Sequence, residues 1–548
     1  MNTRFSPLWT DKSSDLRMTG TWRSALPEYS NILSPCRVAC PVGGRIAEWV
    51  GQVGKQDFHG AWTTLVDNNP FPAIAGRICH HPCETPCNRA ALDETISICA
   101  LERFVGDKAL EEGWAFPAPK VEQKTSAAII GGGPAGLSAA YQLRRRGIAV
   151  HLYESNNQLG GLLRYGVPAY RLDKTILDGE ITRILDLGIT IHLNAEITDA
   201  SALRALRADH DAVYLATGAS RAKLLPGLDY SQPWVIDSAE FLAKTNVGTP
   251  CSAGQTLVVI GGGSAAMDVA RTARRLGRDV TVLSLEPDAL LPAQRVEVEE
   301  AKEEGITFVS GAMMQAVTTG SDGLVLDCVR IDFHPGQTRG SFKTTPIAGS
   351  GFTLTADTII PAIGQDADLV RWQDVLTGDG PVVKADANWQ TSMNGVFAGG
   401  DLASLDRFVT QAVGMGKDAA DAIAAFIDNK SSIPVTAPDT AGYDTINTAY
   451  HPAAPALKPT HVEPVKRLKS FDEVQNPLSQ QDAIAEAGRC FSCGTCTYCD
   501  NCYFYCPDMA ITKQGQGYLV NSDYCKGCGL CVAECPTGSI RMHEEAAS

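Results

Sequence analysis

The chain has 548 residues, 44% hydrophobic and 20% charged, which is an ordinary globular composition and enough for about three or four domains. Asp and Glu total 62 against 47 Lys and Arg, and the net charge of −15 argues against a nucleic-acid partner, which needs a basic surface. No apolar run reaches the ~18–20 residues of a membrane helix, and the first residues lack the apolar core of a signal peptide. We therefore expect a cytoplasmic protein whose 18 cysteines are metal ligands or free thiols rather than disulfides.

The N-terminal segment, residues 1–120, is predicted to be a small α-helical domain. It shows no period-2 strand pattern, and its helical stretches are broken by the Pro-Phe-Pro turn at 70–72. The cysteines of this segment are Cys36, Cys40, Cys79, Cys83, Cys87 and Cys99.

An α/β region begins near residue 121. An apolar strand at 126–130 runs directly into GGGPAG, which fits the G-x-G-x-x-G fingerprint. Glycines at these positions let the backbone approach a pyrophosphate at a helix N-terminus. The next strand ends in an acid 23 residues past the first glycine, where a ribose-binding carboxylate belongs. The predicted dinucleotide-binding residues are Gly131, Gly133, Ala135, Gly136 and Glu154.

A second unit of the same kind follows about 130 residues later. The strand at 257–260 leads into GGGSAA, the G-x-G-x-x-A variant, and its next strand also ends in an acid. Two dinucleotide sites favour a flavin facing a nicotinamide nucleotide, because a flavin accepts two electrons together and releases them singly. The predicted residues of the second site are Gly261, Gly263, Ser264, Ala265, Ala266 and Glu286.

The C-terminal segment contains two matched cysteine quartets. Residues 431–480 are rich in Pro, Thr and Ala and are predicted to be a surface linker, and C-x2-C-x2-C-x3-C-P then occurs twice within 481–548. This is the bacterial ferredoxin pattern for two [4Fe–4S] clusters, in which the fourth cysteine of each quartet reaches the other cluster. Zinc-binding C-x2-C pairs are the alternative, which two complete quartets disfavour. The predicted ligand sets are Cys496, Cys499, Cys502 with Cys535, and Cys525, Cys528, Cys531 with Cys506.

Motifs across residues 30–430 together resemble the glutamate synthase small-subunit family of flavoprotein oxidoreductases, which includes the flavin half of dihydropyrimidine dehydrogenase. The matching stretches are GGGPAGLSAAYQLRRRG, GGLLRYGVPAYRL, YLATGA, GGGSAAMDVARTARRLG, AIGQDAD and GVFAGGD. The predicted fold is multidomain, with an N-terminal α-helical Fe–S domain, two Rossmann-like α/β domains and a C-terminal bacterial-ferredoxin-like α+β domain. The expected boundaries are 1–120 for the Fe–S domain, 121–245 with 353–430 for FAD binding, 246–352 for NAD binding, 431–480 for the linker and 481–548 for the ferredoxin domain.

The resemblance implies that the first site binds FAD and the second NAD(P)H. It places Thr217 and Gly218 near the FAD, and Asp401 on its ribityl–phosphate portion. A helix beginning near Gln411 would then direct its positive end at the flavin. Hydride transfer between stacked rings needs alignment rather than a protein acid or base, so no catalytic residue is predicted. Further candidate cofactor-binding residues are Gly161, Leu162, Gly364 and Gly400.

The resemblance also implies an N-terminal [4Fe–4S] cluster. Cys40, Cys79 and Cys83 match three ligands of one family cluster, whose fourth ligand is a Gln or Glu. Glu102 occupies that position, and Cys99, three residues earlier, could substitute. A zinc site and a second cluster are the alternatives.

Several cysteines have no assignment. The family often carries an earlier C-x2-C that helps build a second N-terminal cluster, and that pair is absent here, so one N-terminal cluster is expected. Cys251 and Cys328 are predicted to be structural. Cys36 and Cys87 match ligands of that missing family cluster, and their role here is left open. Cys490 and Cys493 would be spare thiols or an alternative ligand set.

One departure from the family bears on the nicotinamide. NADPH-using members carry two arginines after the second strand, and Leu285 and Glu286 stand there instead. An acid accepts a hydrogen bond from a ribose 2′-OH and repels a 2′-phosphate. NADH is therefore expected over NADPH, the alternative being that Glu286 is merely solvated.

The sequence thus predicts an FAD-dependent NAD(P)H:acceptor oxidoreductase of ferredoxin type. It would exchange electrons between NAD(H) and a protein-borne iron–sulfur chain, as a subunit of a hetero-oligomeric complex such as a 2-oxoacid:acceptor oxidoreductase. Redox partner subunits or a ferredoxin-like protein are the expected partners. The rivals are a glutamate synthase small subunit proper, which the ferredoxin quartets disfavour, and a non-catalytic Fe–S scaffold or redox sensor, which two intact nucleotide sites disfavour.

Overall fold

The structure is a computed structural model. It describes residues 18–20, 23–29, 32–249, 252–320, 323–337, 341–430, 439–515 and 517–545.

The N-terminal part of the described chain is helical apart from one strand. Its elements are β1 (Ala25–Tyr29), α1 (Pro35–Ala39), α2 (Ile46–Gly54), α3 (Phe58–Val66), α4 (Pro72–Ile78) and α5 (Ile98–Glu111). Helices α1 and α4 each begin at a proline, whose missing N–H costs nothing at a first helical position. Helices α4 and α5 pack backbone to backbone, because a Cβ on Gly76 would lie 2.2 Å from the amide nitrogen of Arg103.

Strand β1 corrects the prediction of an all-helical segment over 1–120. It pairs antiparallel with the last strand of the chain, Ile540–Glu544, and the Tyr29 ring stacks on Tyr518. Residues 25–29 therefore belong with the C-terminal unit. Five residues give too little alternation to predict a strand whose partner lies more than 500 positions away.

Two α/β regions follow. The first contains β2 (Ser126–Ile130), α6 (Pro134–Arg145), β3 (Ala149–Tyr153), α7 (Leu162–Tyr165), α8 (Lys174–Leu185), β4 (Thr190–His192), α9 (Ala200–Asp209), β5 (Ala212–Leu215), β6 (Arg221–Ala222) and α10 (Ser238–Asn246). The second contains β7 (Thr256–Ile260), α11 (Ser264–Arg275), β8 (Asp279–Ser284), α12 (Arg295–Glu303), β9 (Thr307–Ser310), β10 (Ala312–Gly320), β11 (Gly323–Pro335), β12 (Phe342–Ala356) and β13 (Thr358–Pro361). The chain then continues with β14 (Gln365–Asp366), β15 (Gly378–Asp379), β16 (Val382–Val383), β17 (Val396–Ala398) and α13 (Val409–Ile427).

Each α/β region is built on a parallel sheet. The first sheet has the order β17-β5-β2-β3-β4, and the second has the order β13-β7-β8-β9. Strands β2, β5 and β7 are apolar and buried along nearly their whole length, as expected where helices cover both faces of a sheet. Strands β10, β11 and β12 form a separate antiparallel sheet.

Strand β13 moves one predicted domain boundary. It pairs in parallel with β7, so the second region extends to residue 361, beyond the expected end at 352. The chain returns to the first sheet only with β17. A four-residue apolar strand fits either sheet, and sequence alone does not distinguish them.

The C-terminal part packs against the N-terminal helices. Its elements are α14 (Pro464–Arg467), α15 (Gln480–Gly488), α16 (Asn501–Phe504), β18 (Ile511–Lys513), β19 (Tyr518–Val520), α17 (Leu530–Ala533) and β20 (Ile540–Glu544). Within the predicted linker, Glu473 binds both Arg77 and Arg103, and residues 431–438 lie outside the described residues. No helix among the described residues is long and apolar enough to cross a membrane.

Buried ion pairs join the two α/β regions. Arg171, which follows α7, binds Asp268 of α11 at 2.7 Å and Glu297 of α12 at 2.6 Å. Burial raises the pKa of Asp268 to about 6, and the Arg171 guanidinium opposes that rise. The ion pairs of Arg171 hold the second region in its orientation on the first. Separating the two regions would leave buried charges without their partners, which is strongly destabilising.

A second network lies inside the second region. Glu304 binds Arg271 and Arg275 of α11, each at 2.7 Å, and all three side chains are at most 1% exposed. Glu304→Ala would leave two buried guanidinium groups short of an anion, and we expect a cost of about 3–5 kcal/mol. Hydrogen exchange of the α11 amides would report the lower opening free energy.

A residue of α12 with an exposed partner provides the control. Glu299 is 56% exposed and pairs with Arg295, which is 55% exposed, and Glu299→Ala should cost about 0–1 kcal/mol. If the α11 amides were equally protected from hydrogen exchange in the two variants, Glu304 would not stabilise α11 as stated.

Candidate functional site

The first glycine loop connects β2 to α6 and is compact because of its glycines. Gly131 has φ of 108°, and a Cβ there would lie 2.3 Å from the carbonyl oxygen of Ala216. A Cβ on Gly136 would lie 1.9 Å from the Gly131 oxygen. Gly133 is the N-cap of α6, and Ala135 lies in its first turn. The N-terminus of α6 thus lies at the edge of the sheet, where its amide groups suit an anionic ligand.

Glu154 fixes this loop from the end of β3. Its side chain is buried, and its Oε2 accepts a hydrogen bond from the Gly132 amide at 2.9 Å. Its Oε1 accepts from the Asn156 amide at 2.8 Å. The predicted ribose-binding acid therefore lies directly beside the glycine loop.

Three further loops converge on the same place. A Cβ on Gly161, just before Leu162 at the start of α7, would lie 2.9 Å from the Gly133 Cα. Thr217 follows β5 beside Gly131, together with Gly218. The turn after β17 contains Gly400, where a Cβ would approach Ala135 at 3.0 Å, and Asp401, whose carboxyl pKa is raised by burial. Gly364, a further candidate, accepts a hydrogen bond at its carbonyl oxygen from the Lys223 amide at 3.0 Å.

Helix α13 begins at Val409, two residues before the predicted start, and lies on α6. A Cβ on Gly416 would come within 2.2 Å of the Ala135 oxygen, and the Ser138 hydroxyl donates to the Val413 oxygen at 2.8 Å. The second and third turns of α13 therefore pack on the first turns of α6, while the N-terminal turn of α13 carries Thr410, which contacts Cys79.

The second glycine loop repeats this construction between β7 and α11. Gly261 has φ of 142°, and a Cβ there would lie 2.4 Å from the Ala362 oxygen. Gly263 is the N-cap of α11, whose first turn contains Ser264, Ala265 and Ala266. The Glu286 carboxylate lies 2.9 Å from the position of a Cβ on Gly262, and burial raises its pKa.

Three predicted cysteine ligands line one cavity of the N-terminal domain. Cys40, Cys79 and Cys83 share it with Glu102 and with Thr410 of α13, whose Oγ1 accepts from the Cys79 thiol at 3.6 Å. Burial raises the pKa of Cys40 to about 12 and that of Glu102 to about 8. Three soft thiols and one carboxyl in a secluded cavity suit an iron–sulfur cluster.

Cys99 takes a different place. Its sulfur contacts Cys79 and Cys83, and its hydrogen bond lowers the pKa of Cys79 to about 6, but Cys99 does not itself line the cavity. Its backbone amide donates to Glu84 at 3.0 Å. Of the two predicted fourth ligands, Glu102 is the one that lines the cavity.

The C-terminal quartets come together in crossed order. Cys525, Cys528 and Cys531 line a cavity with Cys506 of the other quartet. Cys496 neighbours Cys499 of its own quartet and Cys535 of the other, and Cys502 neighbours Cys496 and Cys499. This is the grouping that the ferredoxin pattern predicts.

The structure brings together the four cysteines whose role the sequence leaves open. Cys36, Cys87, Cys490 and Cys493 line a third cavity, although no local spacing links the first two to the last two. The signals in the sequence are the unused C-x2-C at 490–493 and the match of Cys36 and Cys87 to ligands of the cluster that the family builds with its earlier C-x2-C. Cys328 is 2% exposed in the core, and Cys251 lies outside the described residues.

Comparison with known proteins places the chain in a family. Residues 125–417, more than half of the chain, match the pyridine nucleotide-disulphide oxidoreductase family. The chain belongs to this family. Residues 32–114 match the dihydropyrimidine dehydrogenase domain II 4Fe-4S family, and residues 518–541 match the 4Fe-4S binding domain.

Curated relatives share most of this length. The NADP(+)-dependent formate dehydrogenase subunit beta of Moorella thermoacetica is 32% identical over 84% of this chain and 71% of its own. The glutamate synthase [NADPH] small chain of Azospirillum brasilense is 32% identical over 73% of this chain and 88% of its own. The NAD-dependent dihydropyrimidine dehydrogenase subunit PreT of Escherichia coli K12 is 33% identical over 74% and 95%.

These matches confirm the predicted family and cofactor classes. The chain is a multidomain FAD- and NAD(P)-binding oxidoreductase of the pyridine nucleotide-disulphide family, with an N-terminal 4Fe–4S domain and a C-terminal ferredoxin motif. The predicted role in electron transfer agrees with relatives that are NADPH- or NADH-dependent oxidoreductase subunits.

The position of Glu102 yields a test of the N-terminal ligand set. Glu102→Ala is expected to remove about four irons per chain, because it deletes an oxygen donor from the cavity wall. Cys99→Ala, the matched control three residues away, should keep the iron because Cys99 does not line the cavity. Iron analysis of anaerobically purified protein measures both, and the opposite pattern would make Cys99 the ligand.

Proposed function

We propose that this chain exchanges electrons between NAD(H) and iron–sulfur clusters through FAD, as a cytoplasmic subunit of a larger redox complex. The observation that carries the proposal is helix α13. One end of this helix bears Thr410, which contacts Cys79 in the N-terminal cavity, and its next turns pack on α6 of the first glycine loop. A nucleotide site and a cysteine site thus share one structural element.

The chain's own residues position the cofactors. A bound flavin takes two electrons as hydride and passes them on singly. We assign binding of its adenosine ribose to Glu154 and of its phosphate to the α6 N-terminus, with Thr217, Gly218, Gly400 and Asp401 around the rest. The nicotinamide nucleotide would lie on the α11 N-terminus, in a second Rossmann-like unit.

The C-terminal unit supplies the contact with a redox partner. We assign it a bacterial-ferredoxin-like α+β fold with two [4Fe–4S] clusters, in which Cys499 and Cys528 are exposed. Large apolar side chains surround it, including Phe504 at 73% and Met509 at 85% exposure. Apolar surface of this kind marks an interaction site, and the net charge of −15 fits a partner with a basic face.

A 2-oxoacid:acceptor oxidoreductase or a ferredoxin-like protein fits this partner. A glutamate synthase small subunit proper remains the second candidate, since such a chain is among the relatives. NADH-dependent dye reduction would exclude a purely structural scaffold, and co-purification from the native host would name the partner.

The nicotinamide preference is assigned from Glu286. Its carboxylate lies beside the second glycine loop, where it would accept a hydrogen bond from a ribose 2′-OH and repel a 2′-phosphate. Replacing Leu285 and Glu286 with arginine should shift the preference towards NADPH by about tenfold or more, which corresponds to about 1.4 kcal/mol. Stopped-flow flavin bleaching by each nucleotide measures it.

The matched control is Glu299→Arg, a charge reversal on an exposed residue of α12. It should leave the preference unchanged. A wild-type protein that already prefers NADPH would refute the role given to Glu286.

The path by which electrons leave the protein is tested at the C-terminal ferredoxin unit. Cys528→Ala should leave flavin reduction by NADH and turnover with a small dye near wild type, because both nucleotide loops are untouched. Turnover with a protein acceptor should collapse. If Cys528→Ala keeps that turnover while Cys83→Ala abolishes it, electrons leave through the N-terminal domain instead.

A further inference from the structure

Four cysteines outside the predicted ligand sets face one enclosed space. Cys36 lies in α1, Cys87 precedes a short 3-10 turn at Asn88–Ala91, and Cys490 and Cys493 follow α15. We propose that these four thiolates hold a further [4Fe–4S] cluster, whose ligands come from opposite ends of the chain. The assignment of these ligands rests on their geometry and does not depend on the electron-transfer proposal.

Buried charges fix the two ends of the chain together at this point. Arg89, two residues after Cys87, donates to the Arg489 carbonyl oxygen at 2.8 Å and pairs with Asp93. Asp93 also binds the Arg489 guanidinium at 3.0 Å. Both arginines are at most 6% exposed, so their bonds hold the segment before Cys490 firmly against the loop after Cys87.

The walls of the cavity are those of a cluster site. Apart from the cysteines and a few polar groups, they are formed by apolar side chains such as Ile46, Val50 and Phe491. Backbone and amide N–H groups point at two sulfurs, from Ser492 to Cys490 at 3.4 Å and from Asn88 to Cys493 at 3.5 Å. Such N–H···S contacts stabilise thiolates and tune the potential of a bound cluster.

The spacing of the sulfurs favours a cluster over a single ion. Zinc bound at 2.3 Å to four thiolates would hold the sulfurs about 3.8 Å apart. Among the described side chains, the one group of three potential ligands within 4.8 Å of each other is His81, Glu84 and Cys99. The four cysteines are therefore spread wider than a zinc site, as are the two ferredoxin quartets.

The cavity lies between the other cysteine sites. Ile46 and Ile98 line both this cavity and the one containing Cys40, and Cys36 lies one helical turn before Cys40. On the other side, the amide of Gly494 donates to the Thr537 oxygen at 2.7 Å. The Thr537 hydroxyl is 3.6 Å from the sulfur of Cys535, a ferredoxin ligand. A cluster here would connect the N-terminal site to the ferredoxin unit.

Metal content of the intact protein gives the first test. Anaerobically purified full-length chain is expected to contain about sixteen irons and matching sulfide per FAD, from four four-iron clusters, with no stoichiometric zinc. About twelve irons, in a protein whose iron content the cysteine variants below do not lower, would overturn the proposal. One zinc per chain that those variants lose would make the cavity a zinc site and would overturn it as well.

Variants assign the extra irons to this cavity. Cys490→Ala with Cys493→Ala, and separately Cys36→Ala, should each lose about four irons while FAD content and flavin bleaching by NADH persist. Cys328→Ala, which changes a buried thiol elsewhere, should lose none. Retention of all iron in both cysteine variants refutes the ligand set.

The cluster proposal and the electron-transfer proposal can be refuted independently of each other. A chain with about sixteen irons whose clusters NADH does not reduce keeps the cavity and loses the electron-transfer function. The low-temperature EPR spectrum of the dithionite-reduced protein checks the site independently, because the variants should lack one signal that wild type shows. If a variant does not fold, the metal content and spectrum of the wild type still decide.

Discussion

Close contact between backbones holds the redox sites at one place, and two glycines of α13 make it possible. A Cβ on Gly416 would collide with the Ala135 oxygen in α6, and a Cβ on Gly414 would come within 2.4 Å of the Pro41 oxygen in the N-terminal domain. The helix therefore touches the glycine loop on one side and the segment beside Cys40 on the other. Larger residues would push the cofactor sites apart.

The C-terminal segment stabilises the N-terminal domain through buried ion pairs. Glu473 neutralises Arg77 and Arg103, which lie on the α4–α5 pair behind Cys79, and Asp93 joins Arg89 to Arg489. These pairs are largely buried, where the loss of one partner costs more than it does at the surface. The geometry of the N-terminal cysteines thus depends on residues more than 350 positions away.

The features that could be predicted from the sequence are those whose residues lie close together in the chain. The glycine loops, Glu154 beside the first of them and the crossed ferredoxin quartets follow from motifs whose members lie within about 40 residues of each other. The pairing of β1 with β20, the sheet to which β13 belongs and the four-cysteine cavity all depend on contacts between distant segments. Residues such as Cys36 and Cys490 carry no mutual signal until the fold brings them together.

Because the chain is synthesised from its N-terminus, the two ends that pair in the folded protein are made at different times. Cys87 leaves the ribosome 403 residues before Cys490, a delay of about 20–80 s at about 5–20 residues per second. The cavity that they share cannot close during that interval, and β1 has no partner until β20 is made. Cys36 and Cys87 are thus without Cys490 and Cys493 while the rest of the chain is made, and a reducing compartment would keep them as free thiols during that time.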